Sequence, residues 1–189
     1  MLKLPHIKKS IVDGRSSMVG FTLIELLVVI GIIAVLAAVA LPSLRGYSRR
    51  QSVKNSAVEL KSNLRLAQNR ALTGEKNCDS GSYLLGWVVS VPENAGGSYT
   101  IFGRCSSGNL NFNSATYNFS SDITATISTS FTPTYILYQS NAQGAKFYQD
   151  ANLTNEIPVA LAIVNLSAVS GETYNVNIST TGNVYESKP

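Results

Sequence analysis

One carboxylate, Glu25, stands at the fifth position of an apolar segment that runs from Phe21 to Leu41. A charge inside such a helix costs about 2.5–3.5 kcal/mol on membrane-insertion scales, and more on an isolated helix. In a packed apolar environment, an ionised carboxylate is tolerated when a cation lies beside it, and the pair then defines the register of the packed segments. Glu25 is therefore a candidate pairing residue. The alternative is that it lies close enough to one end of the segment to reach water.

Candidates for catalysis or metal binding are few. The chain has one histidine, His6, and two cysteines, Cys78 and Cys105. Nucleophilic catalysis by a Ser-His or Cys-His pair needs a histidine beside the nucleophile, and a structural zinc site needs four ligands. The sequence contains no glycine-rich phosphate-binding motif, and its acidic residues are scattered. We therefore predict no enzymatic activity, no metal site and no cofactor.

Charge is unevenly distributed along the chain. Residues 1–20 carry four basic residues against one acidic, residues 42–76 carry eight against two, and residues 77–189 carry three against seven. The 21 residues from Phe21 to Leu41 would form a helix about 31 Å long, which matches the ~30 Å hydrocarbon core of a bilayer. The basic residues before this segment favour a cytoplasmic N-terminus. We expect a single membrane span at 21–41.

A second helical pattern follows the apolar segment. Apolar residues recur at spacings of 4, 3, 4, 3 and 4, which is typical of one face of an amphipathic helix packed on a domain. This stripe consists of Val53, Ala57, Leu60, Leu64, Ala67 and Ala71. Gly74 predicts a C-terminal stop. We expect one helix from Phe21 to about Thr73, kinked or locally melted at Pro42, because proline lacks an N–H and clashes with the preceding turn.

Residues 77–189 have the pattern of a β-rich head domain. Short runs rich in Val, Ile, Tyr and Thr alternate with turn signals that contain Gly, Pro, Asn and Ser, a pattern typical of antiparallel strands. The runs are 83–91, 98–102, 115–119, 123–129, 134–139, 158–164, 173–178 and 183–186. The predicted fold class is α+β, with the long N-terminal helix packed on an antiparallel β-sheet or β-sandwich.

The stretch GFTLIE at residues 20–25, followed by an apolar run and Pro42, resembles the processing signal of type IV pilins and type II secretion pseudopilins. The resemblance implies that a prepilin peptidase cleaves between Gly20 and Phe21, removes residues 1–20 as a leader and methylates the amino group of Phe21. It implies that Glu25 pairs with the N-terminal amine of a subunit during filament assembly. Pro42 matches the position at which pilin helices melt inside the filament.

Two further stretches resemble the GspH/FimT group of minor pilins and pseudopilins, which includes FimU-like proteins. They are the helix end at 58–77 and the C-terminal stretch at 174–184, which resembles that group's closing hairpin. The resemblance implies a non-catalytic subunit that helps to initiate or prime a filament, with the prepilin peptidase, other pilins or pseudopilins and an inner-membrane assembly platform as partners. It implies residence in the inner membrane with a periplasmic head, and later incorporation into the filament. A major pilin is a near alternative.

Cys78 and Cys105 would both lie in the periplasm under this assignment, where disulfides persist. A bridge would close a 28-residue loop and stabilise the fold by about 3–4 kcal/mol in the chain-entropy model. It would tie the end of the long helix to the second predicted hairpin. Two free buried thiols are the alternative.

Basic residues early in the second half of the helix form a candidate contact for phosphates or for acidic faces of partner subunits. They are Arg45, Arg49, Arg50 and Lys54. Some FimT-like pilins bind DNA through a Gly-Arg-rich C-terminal tail, which makes DNA uptake an alternative function. The matching place here carries Asn183 and then Glu186, in a net acidic region, which weakens attraction to phosphates. A solvated or lipid-facing helix side competes with DNA binding as the explanation of the basic residues.

A secretory signal peptide is the remaining alternative. The basic start, the apolar core and the residues AVA at 38–40 match a cleavable signal, and the product would be a Sec-secreted β-sandwich binding protein that starts at Leu41. Glu25 inside the apolar core and the helical pattern beyond 40 favour the prepilin interpretation, in which the mature chain starts at Phe21. Met18 offers an alternative start that would leave a leader without a basic residue.

Overall fold

The computed structural model describes residues 21–91, 97–107, 111–127, 134–142 and 144–189, with the side chains of 39–45 excepted. The chain divides into two units after Ser43. One helix, α1 (Leu23–Leu72), contributes residues to both units. It is assigned as helical through Pro42, and the kink at that residue stays a prediction.

Strands follow α1 in the second unit. They are β1 (Leu84–Val91), β2 (Ser98–Cys105), β3 (Asn111–Asn118), β4 (Ile123–Ile127), β5 (Thr134–Gln139), β6 (Ala145–Tyr148), β7 (Leu161–Ala168), β8 (Thr173–Ser179) and β9 (Val184–Ser187). One sheet has the order β3-β2-β1-β5-β6 and the other has the order β4-β7-β8-β9. The pairings between these strands are antiparallel. The predicted α+β fold, with a helix packed on antiparallel β-structure, is confirmed.

Several strands differ from the sequence expectation. β2, predicted at 98–102, continues to Cys105, and β3, predicted at 115–119, begins at Asn111. β6 was not predicted, because four residues directly after the turn signal at 141–144 give too short a pattern to recognise. The strand predicted at 158–164 begins at Leu161 and continues to Ala168, since the polar Asn165 and Ser167 alternate with buried apolar residues and the pairing extends past them. The last residues of the run predicted at 123–129 lie outside the described residues.

The predicted apolar stripe is the face of α1 that enters the core of the second unit. Each of its six residues is at most 1% exposed. They pack in one cluster with inward-facing side chains of both sheets, among them Trp87, Ile101, Phe147 and Leu166. Because each Å² of apolar surface removed from water contributes about 25 cal/mol, this shared core is the main force that holds the helix on the sheets.

Polar contacts also connect α1 to the sheets. Asn63 Nδ2 donates a hydrogen bond of 2.6 Å to the hydroxyl of the buried Tyr99 on β2. Burial raises the pKa of Tyr99 to about 12, although the bond from Asn63 opposes the rise. The phenol is therefore protonated and neutral at ordinary pH, which suits its buried position. Lys61 and Glu186 form an ion pair of 2.9 Å between the helix and β9.

The C-terminus of α1 is closed by glycine, as predicted. Gly74 has a φ of +69°, and its N–H donates to the carbonyl of Ala71 at 3.2 Å, while the N–H of Glu75 donates to the carbonyl of Arg70 at 3.0 Å. This pair of bonds is a Schellman motif, which satisfies carbonyl groups left open at the helix end. A residue without a Cβ adopts the required left-handed conformation at little cost.

The loop after α1 is attached to the first sheet. Trp87 Nε1 donates to the carbonyl of Glu75 at 3.1 Å, and the Arg70 guanidinium lies 4.7 Å from the centroid of the Trp87 ring. Cys78 and Cys105 form the predicted disulfide. Cys105 is the last residue of β2, which pairs with β1. Because β2 also pairs with β3 in the second hairpin, the bridge joins the helix end to that hairpin, as predicted.

Leu64→Ala tests the packing of the stripe. Leu64 is fully buried, so we expect the truncation to leave a cavity and to lower the free energy of unfolding by about 2–5 kcal/mol. Leu66→Ala makes the same chemical change at an exposed position of the same helix and should stay within about 0.5–1 kcal/mol of the wild type. Urea unfolding followed by Trp87 fluorescence measures both. Equal losses would contradict the assignment of this helix face.

Candidate functional site

Helix α1 begins directly after Thr22. The N–H of Glu25 donates to Thr22 Oγ1 at 3.3 Å, and the N–H of Leu26 donates to the Thr22 carbonyl at 3.2 Å. Thr22 is therefore the N-cap, and Glu25 occupies the third helical position, as in a Thr-x-x-Glu capping box. This role of Thr22 was not predicted, although the letters TLIE contain the signal.

The carboxylate of Glu25 is exposed in the first turn of α1, where the helix dipole favours a negative charge. The neighbouring apolar side chains are exposed as well: Phe21 is 82% exposed, and the large apolar residues between Leu26 and Leu36 are 44–68% exposed. Exposed apolar surface on this scale marks a region that is covered by lipid or by another protein surface. The site is thus a single acid on a helix whose apolar surface lies open.

Within the part of the chain that the structure describes, no helix combines the length and the hydropathy that a membrane crossing requires. The span predicted at 21–41 stays a prediction. Gly20 lies outside the described residues, and the side chains of Pro42 and Arg45 do as well. Cleavage after Gly20 and methylation of Phe21 also stay predictions.

The predicted basic patch is divided between two clefts. The Nε atom of Arg50 lies 2.8 Å from a carboxylate oxygen of Glu172, in the loop before β8. Arg50 and Lys54 line one cleft of about 290 Å³ together with Glu172. Arg49 lines a different cleft, beside Asp122. The structure therefore brings two of the four predicted residues into one place, and it adds a carboxylate that the sequence analysis did not connect with them.

A larger cleft of about 600 Å³ lies where α1 ends. Lys76, Tyr83, Gln139 and Asn141 contribute side chains to its lining, which contains no carboxylate or imidazole for acid–base chemistry. The hydroxyl of Ser140, also in the lining, donates to the carbonyl of Leu84 at 2.8 Å. Over the described ranges, no three His, Cys, Asp or Glu residues are grouped closely enough to hold a metal ion.

Comparison with known proteins places the N-terminal segment in a known family. Residues 20–41 match the prokaryotic N-terminal methylation motif. The chain is 37% identical over 84 residues to the type IV major fimbrial protein FimA of Dichelobacter nodosus. The aligned region covers 44% of this chain and 51% of that protein. It is also 39% identical over 57 residues to two fimbrial proteins of Pseudomonas aeruginosa. That aligned region covers 30% of this chain and 37% of each of the two proteins. The chain thus spans about half or less of the length of these relatives. No solved structure matches it.

The matched motif contains the main elements of the N-terminal site. It begins at Gly20, and it includes Phe21, the N-cap Thr22 and the exposed Glu25. The resemblance to type IV pilins predicted from the sequence is confirmed, whereas these matches do not distinguish the GspH/FimT group from other pilins. The methylation motif at residues 20–41 and the matches to fimbrial proteins together make this chain similar to type IV pilins.

Proposed function

We propose that this chain is a non-catalytic minor pilin or pseudopilin subunit, held in the inner membrane by its N-terminal helix and later polymerised through the same helix. The observation that carries the proposal is the exposed apolar surface of α1 up to Leu36, with the single carboxylate of Glu25 in its first turn. This surface follows directly on the Gly20–Phe21 junction of the matched motif.

Lipid and other subunits can cover such a surface in turn. In the bilayer, acyl chains surround the apolar side chains, and Glu25, close to the helix start, reaches the interface at a modest cost. In a filament, the helices of neighbouring subunits replace the lipid. The carboxylate then lies in a medium of lower dielectric, where an unpaired charge is costly and a cation beside it is strongly favoured.

Proteolytic processing supplies the cation. Cleavage after Gly20 creates an amino group on Phe21, and methylation of an amine leaves its positive charge in place. Pairing of this amine with Glu25 of a neighbouring subunit would define the axial register between the two helices. Prepilin peptidase, other pilins or pseudopilins and the inner-membrane assembly platform are the partners that this scheme requires.

The priming role rests on the resemblance to the GspH/FimT group. That resemblance lies in the helix end at 58–77 and in the C-terminal stretch at 174–184. Antiparallel pairing of β8 with β9, closed by a turn at Gly182 with φ +85°, supports the second part. A subunit that primes assembly, and not the shaft subunit, is therefore the role we propose.

Mass spectrometry of the purified chain tests the proposal. Expressed beside a prepilin peptidase, the chain should begin at a methylated Phe21, and without the peptidase it should keep the leader. A start at Leu41 would indicate a secreted protein, and an uncut leader in the presence of an active peptidase would overturn the scheme. A salt-dependent DNA-binding measurement on the same material tests DNA uptake, which requires saturable binding at low salt.

A further inference from the structure

We propose that the cleft beside Arg50 binds the phosphate headgroup of an anionic phospholipid while the subunit resides in the membrane. The inference rests on the proposed function, because it requires that the N-terminal segment holds the chain at a bilayer. We call this the basic cleft, and its principal residues are Tyr47, Arg50, Lys54, Glu172, Tyr174 and Lys188. Its volume of about 290 Å³ suits a headgroup, since pockets for larger ligands extend to about 1,000 Å³.

The basic cleft carries an excess of positive charge. Arg50 uses its Nε atom to contact Glu172, which leaves the terminal guanidinium nitrogens for another acceptor. Lys54 and Lys188 are exposed, and neither forms an ion pair within the described residues. A phosphate is the group that such a set of cations recognises, because it accepts several charge-assisted hydrogen bonds at once.

Two tyrosines give the cleft an amphipathic wall. Tyr47 is 69% exposed, and Tyr174 is half-buried against the core. Tyrosine combines an apolar ring with a polar hydroxyl, and it is enriched at membrane interfaces for that reason. Basic side chains beside such rings are typical of a surface that meets lipid headgroups.

Chain order favours a lipid ligand. Tyr47 comes six residues after Leu41, the last residue of the predicted anchor, and Arg50 and Lys54 follow within the next seven. Basic side chains close to the end of a membrane anchor are attracted to anionic lipid headgroups. Basic residues that follow an anchor this closely in the chain are therefore candidates for headgroup contact.

A second copy of this chain is a weaker partner for the cleft, because carboxylates of the head are already engaged. Glu156, Glu172 and Glu186 each form an ion pair within the chain. Asp150 accepts hydrogen bonds from the backbone N–H groups of its own turn. Four of the seven acidic residues of the head are thus engaged within the chain, whereas a phospholipid brings a phosphate that is not.

Native mass spectrometry of the full chain in detergent tests the inference. The chain is titrated with phosphatidylglycerol, with phosphatidylethanolamine and with inorganic phosphate. We expect one phosphatidylglycerol to be retained more tightly than the other two. Lys54→Gln/Lys188→Gln should weaken its binding about ten-fold or more. Lys76→Gln/Lys146→Gln removes the same charge away from the basic cleft and should leave the binding unchanged.

Four results would overturn the inference. The first two are an equal loss of phosphatidylglycerol binding in both double variants and equal retention of the two lipids. The other two are inorganic phosphate that binds as tightly as phosphatidylglycerol, and a protein dimer that forms without lipid and depends on Lys54 and Lys188. The same spectra report the mass of the chain, which separates the two proposals. A methylated Phe21 start without lipid discrimination removes only this inference, while a start at Leu41 removes the proposed function.

Discussion

Glu25→Gln is expected to lower incorporation of this subunit into filaments by about two orders of magnitude or more. The neutral amide cannot neutralise the amine of a neighbouring Phe21, and breaking a buried ion pair by removal of one partner costs about 3–5 kcal/mol, which is about a hundred-fold or more in an equilibrium. Cleavage of the leader and residence in the membrane should be unaffected, because the replacement removes a charge from the apolar segment and adds none. Immunoblots of sheared filaments and of membranes measure both.

A second variant, at the helix cap, distinguishes loss of the Glu25 charge from loss of the helix start. Glutamine at the third helical position retains the capping-box pattern with Thr22, so Glu25→Gln removes the charge and leaves the helix start in place. Thr22→Ala does the reverse, since it removes the N-cap at a cost of about 1 kcal/mol and keeps the carboxylate. We expect the second variant to assemble far better than the first. Wild-type incorporation of Glu25→Gln, or equal defects in both variants, would contradict the pairing role.

Replacement of both cysteines, Cys78→Ser/Cys105→Ser, is expected to lower the free energy of unfolding by about 3–4 kcal/mol. The bridge closes a loop between residues 27 positions apart, and its loss gives the unfolded chain conformations that the cross-link had excluded. Urea unfolding of wild type and variant, with and without reductant, measures the difference.

Reduction of the wild type should reproduce the loss, and reductant should not affect the double variant. Native packing should persist, because the stabilisation acts mainly through the unfolded state. The near-ultraviolet circular dichroism of Trp87, which lies in the bridged loop and donates a hydrogen bond to the carbonyl of Glu75, should therefore be retained at low urea. An unchanged midpoint in the double variant would contradict a stabilising role for the bridge.

Sequence patterns predicted the features that depend on near neighbours in the chain. The stripe from Val53 to Ala71 was recognisable because residues three and four apart share a helix face, and all six of its members are buried. Gly74 marked the helix end because the left-handed conformation there favours a residue without a Cβ. The two cysteines left a single intramolecular pairing to consider. The N-terminal motif was equally local, and it carried the resemblance to type IV pilins.

Tertiary structure alone decided which distant residues meet. Glu172 lies 122 positions from Arg50 in the chain and forms an ion pair with it, and Lys188 shares their cleft. The order of the strands, the division into two sheets and the short β6 were also beyond local pattern. The physical reason is that helix and strand periodicities describe contacts a few residues apart, whereas sheet order depends on the packing of the whole chain around one core.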